Sequence, residues 1–171
     1  DPLKLVITNW PADRSEPCEA PVHPQRPELG VRRFPFGREL WIEREDFAEQ
    51  PPKGFFRLFP GNRVRLRYGY VVECTGFEKD AQGRIVAVRA EALEDSKSGT
   101  PGANAYKVKG NLHLVAAQSA VAAEVRLYDR LFDQPHPDAS GRDYREALND
   151  GSRRVIRAML EPSLAGAPPE A

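Results

Sequence analysis

The residues with the clearest chemical potential are four arginines in a short stretch: Arg57, Arg63, Arg65 and Arg67. No aspartate or glutamate lies between Arg57 and Val72 in the sequence. Planar guanidinium groups form paired hydrogen bonds with base edges and phosphates. The stretch therefore indicates a surface that binds nucleic acid, and RNA in particular.

Aromatic side chains in and beside this stretch strengthen that interpretation, because aromatic rings stack on unpaired bases. The aromatic residues are Phe55, Phe56, Tyr68 and Tyr70. A proline-stiffened segment upstream is expected to add polar side chains to the same patch, namely Gln25, Arg26, Arg32 and Arg33. Two alternatives stay open: a solvated sheet face that keeps an edge soluble, or a protein-interaction module whose arginines meet an acidic partner.

The arginines must be positioned by a strand. After a turn at Pro60–Asn62, three apolar residues alternate with three arginines, which is the pattern of a half-buried strand. A strand over Arg63–Glu73 would project its guanidinium groups from one face, about 6–7 Å apart. A partner strand is predicted at Arg84–Ala92, with a hairpin connection that ends in Gly83.

The rest of the chain is predicted to be strands at close spacing with little helix. Further strands are predicted at Leu3–Trp10, Arg38–Arg44, Tyr106–Val115, Glu124–Phe132 and Val155–Leu160. The polar Ala12–Pro21 stretch is predicted to be a loop, Glu45–Phe47 a helical turn and Asp143–Asn149 a short helix. This pattern indicates an all-β protein built as barrels or a sandwich.

Composition limits the functional classes. The chain has 171 residues, is 40% hydrophobic, and has 25 basic and 25 acidic residues for a formal net charge of zero. Nucleic-acid binding must therefore depend on where the arginines lie. Cys18 and Cys74 form no CxxC pair, and no signal peptide or membrane-spanning run is found, so we expect a cytoplasmic protein without membrane contact.

No catalytic motif is found. The sequence has no glycine-rich phosphate loop, no HExxH and no GxSxG, and its three histidines are far apart. We therefore expect no catalytic, cofactor-binding or metal-binding residues.

Several long motifs resemble one family. HPQRPELGVRRFPFGRELWIEREDF (23–47), VRLRYGYVVE (64–73), KVKGNLHLV (107–115), VRLYDRLF (125–132) and EPSL (161–164) occur in that order. They resemble the C-terminal anticodon-binding region of glutaminyl-tRNA synthetases, from Asp1 to about Leu164. Glutamyl-tRNA synthetases of the archaeal and eukaryal type share this architecture and are the alternative.

The resemblance implies two antiparallel β-barrels, with the distal barrel inserted in the proximal one, and one or two short helices. The proximal barrel would use residues 1–51 and 139–171, and the distal barrel residues 52–138. The implied partners are glutamine tRNA, bound at its anticodon loop, and the catalytic domain of the parent synthetase. The parent would use ATP, this chain would need no cofactor, and a monomer is expected.

The resemblance also implies roles for individual residues. Arg57 would contact the third anticodon base, and Arg65 and Arg67 would lie near the first. Gln25 would approach the anticodon loop, with Arg26 beside it. A lysine commonly precedes the position of Arg57 in the family, whereas Phe56 stands here.

Two departures from the family matter. The HIGH-type and KMSKS-type aminoacylation motifs are absent, so this chain alone is not expected to aminoacylate. The family also continues past EPSL into a strand that helps form the pocket for the middle anticodon base. We therefore expect a region of a larger enzyme with impaired reading of that base.

Overall fold

The computed structural model describes residues 1–139, 141 and 143–166. The strands are β1 (Pro2–Ile7), β2 (Glu16–Pro21), β3 (Val31–Phe36), β4 (Glu39–Glu43), β5 (Arg63–Leu66), β6 (Val71–Lys79), β7 (Ile85–Leu93), β8 (Gly110–Leu112), β9 (Val115–Ala116), β10 (Val121–Tyr128) and β11 (Arg153–Leu160). Short 3₁₀ segments span Pro27–Leu29, Arg44–Asp46, Glu94–Ser96, Pro101–Asn104, Tyr144–Ala147 and Pro162–Leu164. The all-β prediction is confirmed.

One unit comprises residues 1–121 and 159–166, and it is built on a seven-stranded sheet. The strand order is β8-β5-β6-β7-β1-β4-β9, and the sheet curls as a half-barrel. β1 joins the two sides, because it pairs antiparallel with β4 and parallel with β7. Its inward residues Leu3, Leu5 and Ile7 are buried, as the period-two alternation requires.

An aromatic cluster closes the core of this unit. The rings of Trp10, Phe36 and Tyr70 pack against one another, with centroids 4.7–5.1 Å apart. All three side chains are almost fully buried. Tyr70 is therefore a core residue, and the expectation that it would be available to stack on a base is wrong.

The long strand predicted over Arg63–Glu73 is interrupted by a tight turn. β5 ends at Leu66 and β6 begins at Val71. Between them, the Gly69 N–H donates to the Leu66 carbonyl, and Tyr68 has a left-handed φ of 62°. Val64 and Leu66 face the core as predicted, but Arg67 leaves from the turn. The prediction of three guanidinium groups on one strand face is therefore wrong for Arg67.

The neighbouring hairpin matches the prediction. β6 and β7 pair antiparallel and are joined by a turn that ends at Gly83, whose φ is 78°. Such a φ favours glycine, since a side chain is strained there.

Other local predictions need correction. Ala12–Pro21 is not entirely a loop, because β2 pairs with β3 and buries Cys18 and Ala20. The two strands form a sheet of their own, and edge strands tolerate proline because their outer N–H groups need no partner. Tyr106–Val115 is strand only in part, at β8 and the start of β9. The predicted helix at 143–149 is a single 3₁₀ turn.

The second unit comprises residues 122–158 and contains most of the two-stranded sheet formed by β10 and β11. Within it, Phe132 and Leu148 form an antiparallel bridge, and the Asp143 side chain caps the 3₁₀ turn by accepting from the Arg145 N–H. The predicted residue ranges of the two barrels, 1–51 with 139–171 and 52–138, stay a prediction. Residues 140, 142 and 167–171 of those ranges lie outside the described residues.

A half-buried carboxylate network lies against the aromatic cluster. The Glu16 carboxylate accepts hydrogen bonds from the Tyr70 hydroxyl, Arg14 and Lys97. The Tyr70 hydrogen bond, aided by those of the two cations, lowers the pKa of Glu16 to about 2. Burial and, after it, the hydrogen bond to Glu16 raise the pKa of Tyr70.

We predict that Glu16 makes folding sensitive to acid. A carboxyl group whose pKa is lowered on folding stabilises the folded state at pH values above its ordinary pKa of 4.5. This stabilisation is lost as the pH falls towards 2. Glu16→Gln should lower the free energy of unfolding at pH 7 by about 1–3 kcal/mol and flatten its pH dependence below 4.5. Urea unfolding at several pH values tests this, with the exposed Glu91→Gln as control. If the unfolding free energy of Glu16→Gln depended on pH below 4.5 as steeply as that of the unsubstituted chain, Glu16 would not be the acid-sensitive group.

A second prediction concerns Gly110, which opens β8. A Cβ at this position would overlap the Phe56 carbonyl oxygen and lie 2.7 Å from Val64 Cγ1. Gly110→Ala should therefore destabilise the fold by about 1–3 kcal/mol. Gly76→Ala is the matched control, because a Cβ there meets nothing within 4 Å. Equal melting temperatures for the two variants would show that the backbone around Gly110 can rearrange to accept a methyl group without loss of stability.

Candidate nucleic-acid interface

Arg57 lies in the segment that follows the 3₁₀ turn of Arg44–Asp46. Its side chain is 44% exposed, and its guanidinium forms ion pairs with Glu45 at 3.2 Å and with Asp46 at 3.3 Å. Its Nη1 also donates to the Glu45 carbonyl at 3.0 Å. The acids that were absent from the local sequence are thus supplied by another segment.

The pairing leaves Arg57 partly available. Nε and Nη1 are held by the acidic turn, whereas Nη2 has no hydrogen-bond partner among residues 1–139, 141 and 143–166. Asp46 is nearly buried, and this burial raises the pKa of its carboxyl group, an effect that Arg57 opposes. The guanidinium is therefore oriented by its acids, while the two N–H donors of Nη2 have no acceptor in the described part of the chain.

The charge of Arg63 is balanced by an acidic residue on the neighbouring strand. It lies directly opposite Glu73 in the β5–β6 register, and its Nε is 2.7 Å from the Glu73 carboxylate. This residue received no base assignment from the sequence. Arg63 is therefore one partner of a cross-strand ion pair on the surface of the β5–β6 hairpin.

Arg65 is half-buried, and its guanidinium donates hydrogen bonds mainly to backbone carbonyls. Its Nη1 donates to the Ser96 carbonyl at 2.9 Å and to Ser98 Oγ at 3.2 Å, and its Nη2 donates to the Ala103 carbonyl. Burial lowers the pKa of Arg65. The side chain thus ties the loop that follows β7 to β5.

Arg67 occupies a different environment. It is exposed, its guanidinium lies 5.4 Å from the Tyr68 ring centroid, and no ion pair or hydrogen bond holds its side chain within the described part of the chain. It lines a cleft of about 200 Å³. The cleft is also lined by Pro21, Val22, Pro24, Arg32, Phe34, Tyr68, His113, Leu114 and Glu161.

A nearly buried ion pair forms one wall of this cleft. Arg32 Nη1 pairs with the Glu161 carboxylate, whose side chain is only 10% exposed, and His113 Nε2 lies 3.8 Å from the same carboxylate. Arg32 is therefore committed to Glu161 and is not an open part of the expected patch. Arg33 is paired with Glu19 at 2.8 Å.

Gln25 and Arg26 lie on the exposed segment beside the cleft. Gln25 follows Pro24, which lines the cleft, and its backbone N–H donates to His23 Nδ1 at 3.2 Å. Arg26 is exposed and pairs with Glu28 at 2.9 Å. The structure thus brings the proline-rich segment and Arg67 to one cleft, whereas Arg57 and Arg65 do not line it.

A second concave surface lies beyond the Arg57 segment. We call it the Phe56 groove: it measures about 810 Å³ and its main lining residues are Phe55, Phe56, Phe59, Tyr106, Lys107 and Lys109. The sequence had marked Phe55 and Phe56 but not the lysines. The KVKG motif carries them, yet only the fold places them on the same concave surface as the two phenylalanines.

Comparison with known proteins identifies the class of domain. Residues 1–92 match a family described as tRNA synthetases class I (E and Q), anti-codon binding domain. Residues 111–171 match a second family with the same description. The chain belongs to this anticodon-binding family of class I synthetases.

The similar curated proteins are named glutamine–tRNA ligases. The chain is 64% identical over 170 residues to those of Ralstonia nicotianae and Ralstonia pickettii, which covers 99% of this chain and 29% and 30% of those proteins. It is 60% identical over 168 residues to that of Bordetella pertussis, covering 98% of this chain and 29% of the relative. The chain therefore spans less than a third of the length of these relatives.

No cluster of three or more potential metal ligands occurs among the residues that the structure describes. No helix in the same set is long and apolar enough to cross a membrane.

We predict that Arg65 anchors the loop after β7. Arg65→Ala should leave the carbonyls of Ser96 and Ala103 without their donor and lower the free energy of unfolding by about 1–2 kcal/mol. Hydrogen exchange of the Ser98 amide, which donates to the Gly69 carbonyl, should accelerate. Arg63→Ala removes an arginine from the same strand and should leave that amide unchanged. Equal exchange in both variants would count against the anchoring role.

Proposed function

We propose that this chain is the anticodon-recognition module of a glutamine–tRNA ligase. The observation that carries the proposal is the 60–64% identity to ligases of that name over nearly the whole chain. The relatives from Ralstonia nicotianae, Ralstonia pickettii and Bordetella pertussis are all named glutamine–tRNA ligases, which favours glutamine over glutamate as the amino acid of the parent. The bound nucleic acid is then glutamine tRNA.

The mechanism is binding, without chemistry in this chain. The anticodon bases unstack, and each is held by side chains that hydrogen-bond its edge, while phosphate contacts position the loop. Both glutamine codons begin with cytosine, so the third anticodon base is guanine. An arginine suits that base, since its N–H groups match the O6 and N7 acceptors.

Arg57 is the residue that we assign to the third base. Its Nη2 donors have no acceptor among the described residues, while Glu45 and Asp46 hold the rest of the guanidinium. A side chain that is already oriented loses less conformational freedom on binding. This arrangement supports discrimination by hydrogen bonding and not by charge alone.

The first base is assigned to the cleft of Arg67. Arg67 has an exposed, unpaired guanidinium within the described residues, and the segment that carries Gln25 and Arg26 borders the cleft. Arg65 contributes from below the surface by fixing the loop from Lys97 to Ala103.

The activity of the whole enzyme is part of the same proposal. In a ligase about three times as long as this chain, a catalytic domain would attach glutamine to the tRNA with ATP, and this module would report the anticodon to it. We assign this protein to the cytoplasm and expect the module to act as a monomer.

Arg57→Ala tests the proposal. It should weaken binding of glutamine tRNA by about 1–3 kcal/mol and relax discrimination against a tRNA whose third anticodon base is adenine. Filter binding to the two tRNAs measures both effects. Arg63→Ala is the matched control, because it removes an exposed, ion-paired arginine with no base assignment.

Two outcomes would contradict the assignment. If Arg57→Ala loses the same affinity on both tRNAs, then Arg57 is a nonspecific phosphate contact. If the unsubstituted chain binds both tRNAs equally, or binds neither, it does not recognise the anticodon. Retention of an acidic protein by the chain would then favour a protein-interaction module.

A further inference from the structure

The Phe56 groove has features that the assigned arginines do not explain. Phe56 is 53% exposed, although an isolated phenylalanine gains free energy when it is buried. Lys109 Nζ lies 4.7 Å from its ring centroid. A ring that is both exposed and held by a cation has room for a second stacking partner.

The charge of the groove identifies the kind of partner. Arg63 and Glu73 line it as a neutral pair. Lys107 and Lys109 also line it and are exposed, and neither has an ion-pair partner among the described residues. The groove therefore carries excess positive charge beside an aromatic face. Stacking platforms for single-stranded nucleic acid combine these two properties.

The backbone holds this arrangement in place. Phe56 immediately precedes Arg57 and lies against Gly110, where a side chain on the glycine would collide with the Phe56 carbonyl. Tyr106, on another wall, is held because its hydroxyl donates to Asp95 at 2.9 Å. The Phe56 ring is thus carried by a segment whose backbone packs against β8.

We propose that Phe56 is a stacking site for an unpaired RNA base, with Lys107 and Lys109 contacting the adjoining phosphates. The inference rests on the proposed function, since the RNA is the anticodon loop whose third base is assigned to Arg57. It adds a base-binding position to that interface, one that is independent of base identity because every base has a stacking face.

Substitutions of Phe56 test the stacking directly. Phe56→Ala should weaken binding of a glutamine tRNA anticodon stem-loop about 5- to 150-fold, the range that corresponds to one stacked base. Phe56→Trp should restore affinity, whereas Phe56→Leu, which keeps apolar area but no aromatic face, should not. Tyr128→Ala is the control, because it removes an exposed aromatic ring elsewhere, 71% exposed. Circular dichroism melting of each variant verifies that it is folded.

The salt dependence of binding distinguishes the contribution of the lysines from that of the Phe56 ring. Lys109→Gln should reduce the slope of log K against log[salt] by about 0.7, as expected for loss of one phosphate contact to a single strand. Phe56→Ala should lower affinity without changing this slope. Lys53→Gln, an exposed lysine outside the groove, should leave the slope unchanged.

The failures are distinguishable. If the wild-type chain binds the stem-loop and Arg57→Ala loses discrimination, but Phe56→Ala and Tyr128→Ala bind equally, the stacking inference alone is overturned. The same holds if Phe56→Leu binds as well as Phe56→Trp, because apolar contact would then suffice. If the wild-type chain does not bind the stem-loop, the proposed function is overturned and the stacking site with it.

Discussion

The tight turn from Arg67 to Tyr70 decides how the arginine-rich stretch is used. β5 ends at Leu66, and after the turn Tyr70 packs in the core with Trp10 and Phe36. Arg67 and Tyr68 are left on the surface of a cleft. A continuous strand would instead have placed all the arginines in one row. The left-handed φ of Tyr68 costs conformational energy, and the packing of its neighbours on both sides maintains it.

The same turn connects the core to the charged surface. Tyr70 donates its hydroxyl to Glu16, and Lys97, which also binds Glu16, begins the loop held by Arg65. The Glu16 carboxylate and the loop after β7 are therefore parts of one hydrogen-bonded structure. A residue with no contact to RNA can influence the binding surface through this structure.

The sequence predicted the parts of the fold that depend on local periodicity. The β6–β7 hairpin and the burial of Val64 and Leu66 follow from alternation and from Gly83, and both are confirmed. The turn at Arg67–Tyr70 was missed because tyrosine at a left-handed φ is rare and has no sequence signature. β2 was missed because prolines normally exclude strands, and only pairing with β3 makes them acceptable.

The ion pairs of the site were beyond sequence reasoning for a different reason. The stretch around Arg57 lacks acids locally, but Glu45 and Asp46 reach Arg57 across a gap in the sequence, and Glu73 reaches Arg63 across the hairpin. Such partners depend on tertiary contacts. Family resemblance supplied the residue roles that periodicity could not, while the geometry shows which guanidinium groups still have donors to offer.

These pairings explain how a chain of zero net charge is suited to RNA. An arginine already neutralised by carboxylates gains little from a phosphate, because the nearby acids repel it. On the proposed function, the Nη2 N–H groups of Arg57, which have no acceptor among the described residues, would match the neutral acceptors of a base edge. Lys107 and Lys109, which have no acid partner in the described part of the chain, would suit phosphates instead. The total charge of the chain therefore says little about where RNA would be bound.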